Sequence, residues 1–103
     1  MNKYGARKTV IDGLTFDSKA EARRWQELQM LAMAGAIHSL ARQTVFNLTV
    51  NGVKVCKYVA DFCYWENDVY VVEDVKGVKT AAYVIKRKLM LACHDIAIRE
   101  ITA

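Results

Sequence analysis

A chain of 103 residues, 53% of them hydrophobic, has the size and make-up of one compact domain with a modest core, so a second domain is not expected. No stretch approaches the roughly 18 uninterrupted apolar residues of a membrane span, and the start MNKYGARKTV lacks the apolar core of a signal peptide, which points to a cytoplasmic protein. Fifteen Lys and Arg against eleven Asp and Glu give +4, which favours an anionic partner. Cys56, Cys63 and Cys93 are odd in number, sit among apolar neighbours and form no CxxC, so they read as small core residues rather than a disulfide framework or a zinc site.

Lys3, Arg7 and Lys8 make residues 1–9 a short basic arm. Residues 10–16, VIDGLTF, place Asp12-Gly13 between apolar neighbours and predict a small hairpin. A helix follows: Ser18 is a good N-cap, Glu21 completes the spacing of a capping box, Trp25, Leu28, Leu31 and Ala32 recur at helical period, and Gly35 is a stop. From Gln43 the period becomes two, giving a strand over Val45–Val50, an Asn51-Gly52 turn and a long strand over Val53–Trp65. Glu66, Asn67 and Asp68 turn the chain into a third strand, Val69–Lys76, which Gly77 ends. Thr80 can cap a second helix to about Ala92, and Ile96, Ile98 and Ile101 suggest a last strand. The expected class is α/β, a mixed central sheet flanked by helices, with the last strand entering through a helical crossover.

The stretch VVEDVKG sets charges in what otherwise reads as a buried strand, where an ionised carboxylate costs several kcal/mol unless it is compensated. Pleating puts Asp74 and Lys76 on one face and Glu73 on the other. Asp61, in YVADFCYW, is a second unusual charge. A loop of two or four residues places it opposite Asp74, and a three-residue loop opposite Glu73 unless a bulge intervenes. Glu21 falls on the helix face of Trp25, Leu28 and Ala32 and points inward, where it serves either as a further ligand or only as part of the cap. Converging carboxylates with a lysine beside them suit a hard cation such as Mg²⁺, with Lys76 holding a water or developing phosphoryl charge. An ordinary salt bridge, or pairing of the acids with Arg23 or Arg24, is the structural alternative. His38 and His94 have no Cys or His at ligand spacing, and Trp25, Tyr64 and Trp65 read as core aromatics before base-stacking ones.

Glu21, Asp61 and Asp74-Val75-Lys76 in this order resemble the motifs of the PD-(D/E)XK nuclease superfamily. The segments YGARKTVIDGLTFDSKAEARR, YVADF and VVEDVKG, followed by a Lys-rich helix, are similar to a family of small phage-encoded proteins presumed to be endonucleases, over nearly the whole chain. One departure is Ala60, where the superfamily often has proline before the Asp. The resemblance implies a restriction-endonuclease-like αβββαβ core and Mg²⁺-dependent cleavage of DNA, with Mn²⁺ able to substitute. Glu21, Asp61, Asp74 and the Val75 carbonyl would hold metal, and Lys76 would assist the attacking water. Lys88, which projects near Ala81 and Ile85 on the expected inward face, and Gln43 are auxiliary candidates. Lys3, Arg7, Lys8, Lys79 and Lys86 are candidates for DNA contact. The small size favours structure-selective cutting of branched or junction DNA, with a homodimer and a phage or host replication or recombination protein as candidate partners. The alternative is a non-catalytic DNA-binding or replication/recombination accessory protein on the same fold.

Overall fold

The computed structural model describes residues 8–103 and forms an α/β protein with one mixed four-stranded sheet and one two-stranded sheet. The expected hairpin comes first, β1 (Thr9–Ile11) pairing antiparallel with β2 (Leu14–Phe16). Its turn residues Asp12 and Gly13 have φ of 51° and 79°, the left-handed pair that a two-residue turn matched to strand twist requires. β1 starts inside the segment expected to be an arm; Lys3 and Arg7 lie outside the described residues.

Helix α1 (Lys19–Met33) begins where the cap spacing puts it, the Ser18 hydroxyl accepting from the Glu21 N–H at 3.1 Å. It buries Glu21, Ala22 and Leu28, and Trp25 stacks on Phe62 at 5.8 Å. The main sheet then runs β3 (His38–Val50), β4 (Val53–Glu66), β5 (Val69–Lys76) and, after α2 (Ala81–His94), β6 (Arg99–Thr102). Strand order is β3-β4-β5-β6, antiparallel except for the parallel β5–β6 pair that α2 makes by crossing over. β3 starts earlier than the expected Gln43. The polar segment before it carries no clean alternation, and positive φ at Ser39 and Gln43 breaks the pleat. β6 starts later than expected, after Ile96 and Ile98; Ile98 is buried under α2 as the chain approaches the sheet.

The two helices cover opposite faces. Tyr83 and Met90 of α2 pack with Leu48, Tyr58, Ala60, Cys63 and Val72, whereas Ala22 and Leu28 of α1 pack with Phe16, Ile37, Phe62, Tyr64 and Val71. Cys56 and Cys93 border the first cluster, and all three cysteines are free. The inward stripe of α2 is therefore Tyr83 and Met90, two turns apart, with Leu89 and Cys93 beside it. This corrects the expectation that Lys88 projects inward with Ala81 and Ile85. Ile85 is 58% exposed and Lys88 is exposed too, because the larger apolar side chains of the other stripe decide the helix orientation.

β4 changes face midway. Tyr58 and Ala60 lie on the α2 side, but Phe62 and Tyr64 lie on the α1 side, although residues two apart in a regular strand share a side. The break falls at Asp61. Across the ladder, between the pairs Arg42↔Phe62 and Thr44↔Ala60, stands Gln43 with φ of 52°. The long hairpin is thus bent at Gln43 and Asp61. No helix of the described residues is long and apolar enough to cross a membrane.

Candidate functional site

The β4–β5 turn is Asn67-Asp68, both residues at positive φ (49° and 62°). This two-residue turn sets the register Glu66↔Val69 through Phe62↔Glu73, and extending it by one pair puts Asp61 across from Asp74, as expected for a loop of that length. The ladder stops there, and β5 continues alongside β6 from Glu73↔Arg99 to Lys76↔Thr102. Where the strands part, carboxylates take over from backbone pairing. The Asp61 N–H donates to Asp74 Oδ1 at 3.3 Å, and the Val75 N–H donates to Asp61 Oδ2 at 2.8 Å.

Asp74 is 2% exposed. The Tyr58 hydroxyl donates to its Oδ2 at 2.5 Å, and Lys76 Nζ lies 3.4 Å from the same oxygen and 4.1 Å from the centre of the Tyr83 ring. Glu21 reaches in from α1. One of its oxygens accepts from the Asp17 N–H at 3.2 Å and the other from Gln43 Nε2 at 3.4 Å, so it belongs both to the helix start and to the acid group. Burial pushes the Asp61 carboxyl far above the usual range, and the adjacent Asp74 and then Glu21 push it further. Burial also raises Glu21, opposed by the Asp17 amide, and Asp17 and Asp74 add to the rise. The Tyr58 hydroxyl, raised first by burial and then by Asp74, stays protonated and remains a donor.

Asp61 and Asp74 thus meet through the Asp61 amide, with Lys76 beside Asp74 and Glu21 near enough to raise Asp61. Among the described residues, no three His, Cys, Asp or Glu side chains are grouped so as to hold a metal ion. The donor chemistry nonetheless fits Mg²⁺, which is commonly held by one or two carboxylates and keeps several waters. Asp61 and Asp74 are the two carboxylates of this structure whose chemistry suits such a pair.

The chain belongs to the family described as "Protein of unknown function (DUF1064)", whose model matches residues 1–101. No curated protein matches the chain.

Glu73, on the other face as the pleat requires, has a separate role. Arg24 holds it with two hydrogen bonds of 2.9 and 2.7 Å, the Tyr64 hydroxyl donates to it, and Arg99 donates to the Tyr64 oxygen at 3.0 Å. Of the arginines considered as partners for the acids, Arg24 therefore serves Glu73 and leaves Asp61 and Asp74 to each other. Trp25 and Tyr64 are core aromatics, and Trp65, 38% exposed, stacks on His38 and meets Tyr70 at a tilt. His94 bonds the Asn47 carbonyl at 2.8 Å and fastens the end of α2 to β3.

A cavity of about 300 Å³ adjoins the acids through Glu21, with Lys8, Thr15, Asp17, Arg42 and Gln43 as its other walls. Lys8 pairs with Asp17 at 3.7 Å. Arg42 lies 4.2 Å from the centre of the Phe16 ring and donates to the Thr15 carbonyl, while its Nε is buried with no hydrogen-bond partner among the described residues. Sequence reasoning missed Tyr58 and Arg42, because both depend on the face change at Asp61 and Gln43, which breaks the alternation used to place them.

On the α2 side, Glu100 accepts from Tyr83 and Arg87 at 2.8 Å each and pairs with Lys79 at 3.1 Å. The Tyr83 bond foremost, then Arg87 and Lys79, hold its carboxyl down at about 2 against an ordinary value of 4.5. A depressed acid stabilises the fold above its unfolded pKa and loses that contribution as pH falls toward the folded one. Wild type should therefore lose on the order of 1 kcal/mol from this site between about pH 4.5 and 2, solvent around the half-buried carboxylate limiting the size. Glu100→Gln should lack that part of the acid dependence, as denaturant titrations at stepped pH would read. Lys86 is half-buried on the same helix.

Proposed function

We propose that this protein is a Mg²⁺-dependent DNA endonuclease of the PD-(D/E)XK type, acting on branched or junction DNA. The observation that carries the reading is the strand fork at which Asp61 and Asp74 meet, with Lys76 on the same face and Glu21 arriving from α1. The order α1, β3, β4, β5, α2, β6 supports this reading, since an αβββαβ succession is what such a core would require.

In this reading Asp61 and Asp74 would hold the cation and Glu21 would complete the site. A bound divalent cation would polarise a phosphodiester oxygen and lower the pKa of a water. The chain's own groups do the rest. Tyr58 and the Asp61 amide fix the Asp74 carboxylate, Gln43 steadies Glu21, and the Lys76 ammonium is held by Asp74 and the Tyr83 ring, where it can hold the attacking water or developing negative charge on phosphate. Products would carry 5′-phosphate and 3′-hydroxyl ends. Cutting two strands together would need two such sites, which a homodimer supplies.

The test is cleavage of linear, nicked, flapped and four-way DNA. Cleavage should require Mg²⁺ or Mn²⁺, stop in EDTA, and fall about 100-fold or more in Asp74→Ala and in Lys76→Ala. Equal cleavage by both variants and wild type would remove the mechanism, and EDTA-insensitive binding with no turnover would favour the non-catalytic reading.

A further inference from the structure

We propose that the outer half of the β3–β4 hairpin, Thr44 to Ala60, is an arm that contacts duplex DNA; this extends the nuclease reading to the surface that receives the substrate. Beyond the bend at Gln43 and Asp61, the inward side chains Leu48, Tyr58 and Ala60 pack under α2. The opposite face is uncovered. Val45 (54% exposed) faces Val59 (37%), Asn47 faces Lys57, and Val55 (55%) continues the row toward the tip at Val53 and Lys54.

The composition of this face selects its partner. No Asp or Glu occurs from Leu28 to Ala60, while Lys54 and Lys57 stand on the arm, and neither makes an ion pair among the described residues. Lys57 sits between Val55 and Val59 in the middle of the apolar row. A second copy docked there would bury that ammonium with no carboxylate on the arm to answer it, a cost that edge and face lysines impose on self-association. A polyanion answers it directly.

The shape agrees. A two-stranded antiparallel ribbon fits the major groove, where valine side chains can meet thymine methyls and asparagines such as Asn47 and Asn51 can meet base edges. At about 3.3 Å per residue, the arm from Asp61 to Lys54 reaches roughly 20 Å, the length of about six base pairs. It begins at the acids, so a duplex lying along it passes the proposed site of cleavage.

The experiment is a salt titration of binding to a 30-base-pair duplex, read by fluorescence anisotropy in EDTA so that binding is separated from cleavage. In Lys54→Gln/Lys57→Gln, the slope of log affinity against log salt should fall by about 1.8, at about 0.9 for each phosphate no longer neutralised. The melting temperature should stay near that of wild type, both lysines being exposed. An unchanged slope, or no binding by wild type, overturns the arm. A dimer in sedimentation that Val45→Lys dissociates would overturn it in favour of a second copy. A reduced slope in a protein that never cleaves would keep the arm and remove the nuclease reading, whereas cleavage with an unchanged slope would do the reverse.

Discussion

Arg24→Ala should cost about 3–5 kcal/mol of stability, the usual penalty for removing one member of a buried ion pair. In a domain of this size that lowers the melting temperature by roughly 15 °C or more. Glu73 is fully buried, and its two oxygens are occupied by the Arg24 fork and the Tyr64 hydroxyl. The bond to Glu73 holds the guanidinium firmly in its charged form. Without Arg24 the buried Glu73 side chain loses both bonds of the guanidinium fork and keeps only the Tyr64 hydroxyl, which burial and Glu73 push up to about 12. Arg24→Met/Glu73→Leu removes both charges together and should be clearly less unstable than Arg24→Ala. Thermal melts of the three proteins read the difference. Equal melting temperatures for Arg24→Ala and wild type would mean that the pair contributes little to the fold.

Asp61→Asn should have the opposite effect on stability and still abolish function. The Asp61 carboxyl is raised from an ordinary value of 3.8, so as pH rises above about 4 the unfolded chain gives up this proton while the folded chain keeps it. Stability is therefore lost progressively from pH 4 upward toward the raised value. Asparagine removes that penalty. Its carbonyl can still accept from the Val75 N–H, and its amide can donate to Asp74. The variant should be more stable by about 1–2 kcal/mol near pH 8, with the gain shrinking toward pH 4, and its cleavage should fall about 100-fold or more. A variant less stable than wild type at pH 8 would contradict the strain assigned to the two acids. A buried carboxyl whose ionisation costs the fold stability is the kind of group that supports the proposed reading.

The parts of the molecule legible in the sequence are those fixed by short-range chemistry. Asp12-Gly13 and Asn51-Gly52 each mark a two-residue turn, and Ser18 and Thr80 each cap a helix. The next turn reads as Glu66, Asn67 and Asp68 and leaves the partner of Asp61 open between Asp74 and Glu73; Glu66 in fact pairs with Val69, and the resulting two-residue turn brings Asp61 to Asp74, since turn length fixes register. The pleat places Glu73 on the other face for the same reason. What the pattern hides is the bend at Gln43 and Asp61. A change of face inside one strand leaves no period to read, so the reach of Tyr58 to Asp74 is invisible in the sequence, and β3 reads as beginning at its own kink. Lys88 is misplaced by spacing because Ala81 and Ile85 stand at helical period with it, yet Tyr83 and Met90 bury more surface and set the helix rotation.

A calorimetric titration of Mn²⁺ into the full chain tests most directly whether the acids at the strand fork form a cation site. One saturable binding event, accompanied by proton release at pH 7 and absent in Asp61→Asn, is the predicted result. No saturable binding by wild type, with or without DNA, or the same binding in Asp61→Asn, would contradict it.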